Sequence, residues 1–189
     1  INLLQSLLLQ EITARSPILK ISQITASIQN KITEASINMS LKKKILVGLA
    51  IILIGIQFFQ PLQNQSGEVK DTHIEKVYAV PQNVKAVLQT SCYDCHSNNT
   101  LYPWYSRIQP GAWFMAKHIK EGKEELNFSD FGSYSTRKQR NKFRSMSNQV
   151  NDGTMPLNSY TLIHRNAVLS LEEKQVLTKW FDAMADSLQ

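Results

Sequence analysis

The chain has 189 residues and a formal net charge of +6, but that charge is unevenly spread. Six Lys and Arg against two acids precede Gly67, giving +4, while fifteen against thirteen follow, giving only +2. A nearly neutral C-terminal part is a poor candidate for nucleic-acid binding, despite the basic total.

Residues 1–38 hold apolar side chains in loose clusters and carry no motif. Met39 is followed at once by Ser40-Leu41-Lys42-Lys43-Lys44 and then by the apolar run Ile45 to Phe59, the layout of a basic n-region and a hydrophobic segment. The reading is that Met39 is the start and that residues 1–38 are upstream sequence. A genuine amphipathic cytoplasmic extension is the alternative. The apolar run has 15 residues, interrupted by Gln57. As a helix it would be about 22 Å long, short of the roughly 30 Å hydrocarbon core. That length suits a signal peptide, yet no A-x-A-like cleavage site follows. Residues 39–60 are therefore expected to be an uncleaved signal anchor, a transmembrane helix whose lysines snorkel and stay on the cytoplasmic side. This predicts a bacterial inner-membrane protein with its C-terminal domain in the periplasm. Residues 61–73, with Pro61, Gly67 and mostly polar side chains, read as a linker.

Residues 74–189 suit one small domain. Four helices are expected. Pro81 to Thr90 places Val84, Val87 and Leu88 on one face, running straight into Cys92. Ala112 to Glu125 follows Pro110-Gly111. Thr136 to Val150 is basic outside, with Phe143, Met146 and Val150 as a thin apolar stripe. Ser170 to Leu188 opens with a capping box, Ser170-Leu171-Glu172-Glu173, and carries Val176, Leu177, Trp180, Phe181 and Met184 on one face. No strand hairpin is evident, so the fold class is all-α.

Cys92-Tyr93-Asp94-Cys95-His96 carries most of the chemistry, and its cysteines are the only two in the chain. C-x-x-C-H is the attachment signature of c-type haem. Two thiols add across the two vinyl groups of one porphyrin, so they must sit a short fixed distance apart, and the adjacent histidine becomes an axial ligand. Rival readings are a dithiol redox site, which needs a βαβ context not seen here, and a zinc site, which needs four ligands in two groups. For the other axial position the candidates are Met115, His118, Met146, Met155 and His164. Met155 is preferred: Asn151-Asp152-Gly153-Thr154-Met155-Pro156 reads as a turn ahead of the last helix, stiffened by Pro156. His164 is the main rival, and an open site remains an alternative. Tyr102, Trp104, Tyr105 and Trp113 are candidates for a haem pocket wall, with Arg107 able to pair with a propionate. Ordinary packing is the plainer reading of that cluster.

The run Ser91 to Thr100, then Tyr102-Pro103-Trp104-Tyr105, resembles the small bacterial haem-binding domain family related to class I cytochromes c. Trp113, His118-Ile119, Gly122-Lys123, Leu126-Asn127-Phe128-Ser129, Met155-Pro156 and Tyr160 extend the resemblance over roughly residues 74–189. It implies a cytochrome c-like helical domain wrapped around one covalent haem c, with Cys92 and Cys95 carrying the haem, His96 as proximal ligand and Met155 as distal ligand. The expected function is a membrane-tethered periplasmic monohaem cytochrome that passes single electrons to redox partner proteins. No catalytic dyad or small-molecule substrate signature is present, so the chain is read as an electron carrier and not an enzyme. A haem sensor or peroxidase-like protein with a labile distal site is one alternative; an exported dithiol or metal-binding module is the other.

Overall fold

Apolar residues at helical spacing, punctuated by Pro, Gly and Ser caps, leave this chain little option but short helices joined by tight turns. The computed structural model describes residues 17–37 and 40–188. Every named element among them is helical, and the one β feature is an isolated antiparallel bridge between Gln65 and Asn99. The chain divides after Ile56 into two units.

The first unit contributes α1 (Pro17–Ile37) and α2 (Leu41–Ile56). In α1, Ile21, Ile24, Ile28 and Ile32 recur at helical spacing and are exposed. The apolar run is helical as expected, but α2 has 16 residues and buries none of them. Its length is about 24 Å. Among the described residues no helix is long and apolar enough to cross a membrane. Met39 and residues 1–16 lie outside the described residues.

The second unit begins at Gln57. Its helices are α3 (Ile74–Val77), α4 (Gln82–Ser91), α5 (Tyr93–His96), α6 (Gly111–Glu125), α7 (Thr136–Asn151), α8 (Asn158–Thr161) and α9 (Leu171–Ser187), with 3-10 turns at Trp104–Arg107, Phe128–Ser133 and Arg165–Ala167. The four expected helices correspond to α4, α6, α7 and α9, with no end shifted by more than one residue. The capping box forms in both directions: Glu173 N donates to Ser170 Oγ at 3.2 Å, and Ser170 N donates to Glu173 Oε2 at 2.8 Å.

The C-terminal helix α9 packs most extensively on α7 and to a smaller extent on α4. Val84, Val87 and Leu88 share one core with Trp180 and Phe181, but the basic helix α7 is the main partner of α9. The reason is aromatic. Phe143 on α7 is fully buried and meets Trp180 edge-on at 5.6 Å, Tyr78 edge-on at 5.3 Å and Phe131 at 4.9 Å. Phe128 and Phe131 come from the Phe128–Ser133 turn, which has no periodicity to betray it.

The expected linker is instead part of the second unit. Asn64 Nδ2 donates to Ser97 O (2.7 Å) and Thr100 Oγ1 (2.9 Å), and Thr100 N donates to Asn64 O (2.9 Å). Phe59 O accepts from Gln109 Nε2 (2.8 Å) and Trp113 Nε1 (2.9 Å), and Gly132 N donates to Thr72 O (2.8 Å). The polar side chains that looked solvated satisfy the backbone of the loop that follows Cys95 and His96.

Replacing Phe143 by Ala should cost about 3–5 kcal/mol, the usual penalty for emptying a buried aromatic site. Ser170→Ala should cost about 1 kcal/mol through loss of the cap. Urea denaturation of the purified chain, read as the shift in midpoint at constant slope, checks both values.

Candidate haem-binding site

The apolar face of α4 is anchored in the core through Val84 and Leu88, and this helix delivers Cys92. One further turn, α5, closes on the Cys92 carbonyl, which accepts from Cys95 N (3.2 Å) and His96 N (3.0 Å). That turn gives Cys92, Cys95 and His96 a common side on a cavity of about 560 Å³. Cofactor pockets span roughly 300–1,000 Å³, so the size suits a large prosthetic group. The residues between the cysteines engage other partners. Tyr93 donates to Glu75 Oε1 (2.9 Å), and Asp94 accepts from Leu101 N (2.9 Å) and Tyr160 Oη (2.8 Å).

Helix α6 backs the turn. The His96 Nδ1–H points at two carbonyls, Gly122 O at 2.9 Å and Leu126 O at 3.1 Å. A carbonyl can only accept, so the proton is on Nδ1 and the lone pair is on Nε2. Among the described residues no buried side-chain nitrogen or oxygen lacks a partner. His96 Nε2 makes no such bond, so it is reached from the cavity. Burial pushes the His96 imidazole below its ordinary value of 6.5, against the opposing pull of the Leu126 and Gly122 carbonyls, and the charge of Lys142 adds to the lowering. A neutral imidazole with Nδ1 fixed on backbone carbonyls is the form that ligates a metal.

This approach needs a glycine. A Cβ at Gly122 would stand 2.9 Å from the Cys95 carbonyl oxygen and 3.4 Å from its carbon. Gly111, at the start of the same helix, has nothing within 4 Å of that position.

The lining also includes Met155, Pro156, Leu157 and Tyr160, with Phe128, Leu169 and Phe181 as apolar surface. The Met155 loop is fastened to the end of α7, where Gln149 O accepts from Thr154 N (3.0 Å) and Met155 N (3.2 Å). Gly153 has φ +68, the left-handed conformation that ends many helices. Tyr160, which lines the cavity, donates to Asp94 and so ties the segment after the Met155 loop to the Cys92–His96 turn.

Cys92, Cys95, His96 and Met155 thus line one cavity, joined by Met146 and His118. Met115 and His164 do not line it. His164 Nε2 shares a hydrogen bond of 2.6 Å with Tyr105 Oη, and its ring stacks on Tyr160 at 4.2 Å. The aromatic cluster Tyr102, Trp104, Tyr105 and Trp113 is absent from the lining, as is Arg107. Trp104 is 83% exposed, Trp113 is bonded to Phe59 O and Tyr102 Oη accepts from Asn64 N. The pocket aromatics are Phe128, Tyr160 and Phe181. Gly122, Asp94 and Lys142 had no role from spacing alone; a lone glycine inside a helix was the one available signal.

Burial pushes the Cys92 thiol up to about 12, with Cys95 adding, and pushes Cys95 up to about 11, with Asp94 adding. Redox dithiols lie in the opposite direction, with lowered values. Among the described residues no cluster of three or more His, Cys, Asp or Glu could hold a metal ion. Two thiols, a free imidazole nitrogen, a thioether and an apolar lining fit a haem.

An all-helical domain with this donor set on one cavity is a haem-binding protein by construction. The chain belongs to the haem-binding domain family, which matches residues 51–183. That span reaches further toward the N-terminus than the resemblance drawn from residues 74–189. No curated protein matches the chain, and no solved structure does.

Gly122→Ala should lower the stability of the cofactor-free chain by about 1–3 kcal/mol through forced repacking against Cys95, while Gly111→Ala stays within about 1 kcal/mol of wild type. Urea midpoints for the pair are the check. His96 holds its proton less readily folded than unfolded. The stability it carries is complete above pH 6.5 and falls as the pH drops below that value. The cofactor-free chain should therefore unfold at lower urea in acid, and His96→Asn should flatten that dependence. An equal acid slope in both proteins would contradict it.

Proposed function

We propose that this haem-binding domain is a monohaem c-type cytochrome in which Cys92 and Cys95 form thioethers, His96 is the proximal ligand and Met155 the distal one. The observation that carries the reading is the orientation of His96: Nδ1 is committed to the Gly122 and Leu126 carbonyls, and Nε2 is open to the cavity. Bound haem supplies a one-electron Fe(III)/Fe(II) couple. The role of this chain is to hold that couple in a rigid, mostly apolar site. Cys92 and Cys95 would hold the haem as thioethers through its two vinyl groups, and burial keeps both thiols protonated in the cofactor-free chain. Gly122 lets α6 come close enough to fix the His96 ring. Gln149 and Tyr160 hold the Met155 loop from two sides, which favours a filled distal position and hence electron transfer over ligand binding.

The location follows as part of the same proposal. Covalent haem attachment in bacteria takes place outside the cytoplasmic membrane, and Lys42, Lys43 and Lys44 precede the apolar helix α2 with the charge order of a cytoplasmic flank. The domain is proposed to face the periplasm, tethered by α2 together with the apolar Phe58 and Phe59 that follow it, and to exchange electrons with redox partner proteins.

Met155→Ala is the direct test of the distal assignment. The full chain, expressed in a host that matures c-type cytochromes, should give a low-spin ferrous spectrum and a far-red sulfur-to-iron band in the ferric state. In Met155→Ala the far-red band should vanish, and carbon monoxide should bind far more readily. A variant with an unchanged low-spin spectrum and unchanged carbon monoxide binding would remove Met155 from the iron.

A further inference from the structure

Along α7, Lys142, Ser145, Met146 and Gln149 recur at helical spacing and all line the cavity. Among the described residues of that lining, Lys142 is the one lysine or arginine. Its side chain is only 25% exposed, and its carboxylate partner is Glu125 at 3.6 Å, itself 83% exposed. An ion pair with one solvated member and a long separation is weak. Ser145 Oγ accepts from Gln149 Nε2 at 2.9 Å, which leaves the Ser145 hydroxyl as a donor. The α6 side of the lining carries the opposite charge, with Glu121 and Glu125 beside His118.

A haem brings two carboxylates of its own. They sit on the pyrrole rings that do not bear the vinyl groups, so thioethers at Cys92 and Cys95 direct them away from the attachment turn. On the α6 side they would meet Glu121 and Glu125; on the α7 side they would meet an ammonium and a hydroxyl. We propose that Lys142, assisted by Ser145, binds a haem propionate, exchanging its loose pair with Glu125 for a charge-assisted bond to the cofactor. This rests on the haem reading above and adds to it the direction in which the cofactor lies. The lysine also acts on the couple. A cation beside the ring disfavours the more positive ferric state, so Lys142 raises the reduction potential of the site.

The test uses the full chain matured with haem, with loading checked by a pyridine haemochrome assay. Resonance Raman spectra are compared for wild type, Lys142→Arg, Lys142→Met and Glu125→Gln. The propionate-bending band should shift in Lys142→Met and stay near wild type in Lys142→Arg and Glu125→Gln. The ferric-to-ferrous equilibrium of Lys142→Met should move about tenfold toward ferric, about 59 mV for a one-electron couple. An unmoved band in loaded Lys142→Met overturns the proposal even when the potential falls, since a charge that never touches the propionate would lower the potential alone. If Lys142→Met takes up no haem, urea unfolding of its cofactor-free form decides. A wild-type midpoint assigns the loss to binding and supports the proposal, whereas a lowered midpoint shared with Lys142→Arg makes Lys142 structural and overturns it. A wild-type chain that matures without haem would instead sink the haem reading itself, a result distinct from loaded protein with an unmoved band.

Discussion

The contact between Gly122 and the Cys95 carbonyl governs the rest of the site. Helix α6 can lie against the Cys92–His96 turn only because Gly122 has no side chain; any Cβ would stand 2.9 Å from that oxygen. The same close approach brings the Gly122 and Leu126 carbonyls to His96 Nδ1. One missing methyl group therefore decides the tautomer of the histidine and which of its nitrogens faces the cavity. Glycine in a helix interior costs about 1 kcal/mol against alanine, a cost this helix accepts in exchange for a fixed imidazole.

Around that contact the site is closed by a small number of polar ties between segments distant in sequence. Asp94, inside the Cys92–His96 turn, accepts a hydrogen bond from Tyr160, which lines the cavity. Gln149, at the end of α7, holds the Met155 loop through its backbone oxygen. Asn64, in the segment after the apolar helix, holds Ser97 and Thr100 directly after His96. The core that keeps α7 and α9 together, with Phe131, Phe143 and Trp180, also includes Phe128, Leu169 and Phe181 of the cavity lining. The apolar part of the lining is Phe128, Leu169 and Phe181, and it turns charged at Glu121, Glu125 and Lys142.

Much of this was legible in the residues. Periodic apolar stripes and the Ser170 box located the four main helices to within a residue or two, because those signals are local. Cys92, Cys95, His96 and Met155 were singled out by spacing and turn chemistry, and the structure gathers all four on one cavity. What escaped detection was non-local. The Phe128–Ser133 turn has no period, so two fully buried phenylalanines went unassigned. Polar residues between positions 61 and 73 looked like a spacer because composition cannot distinguish an amide facing water from one satisfying a buried backbone. Trp104, Tyr105 and Trp113 were close to the motif in sequence, and proximity along the chain proved a poor guide to the lining. Lys142 was read as one member of a solvated basic face; helical phase places it on the cavity side and turns Arg137, Arg140 and Arg144 away from it.

The proposal that Cys92 and Cys95 would hold one haem covalently, with His96 as an axial ligand, has a direct chemical signature. Peptide mass mapping of the full chain, expressed in a host competent for c-type maturation, tests it most directly. The peptide containing Cys92 to His96 should carry the mass of one haem, and Cys92→Ser together with Cys95→Ser should abolish the adduct. An unmodified peptide from a host that matures a control cytochrome in the same culture would contradict covalent attachment.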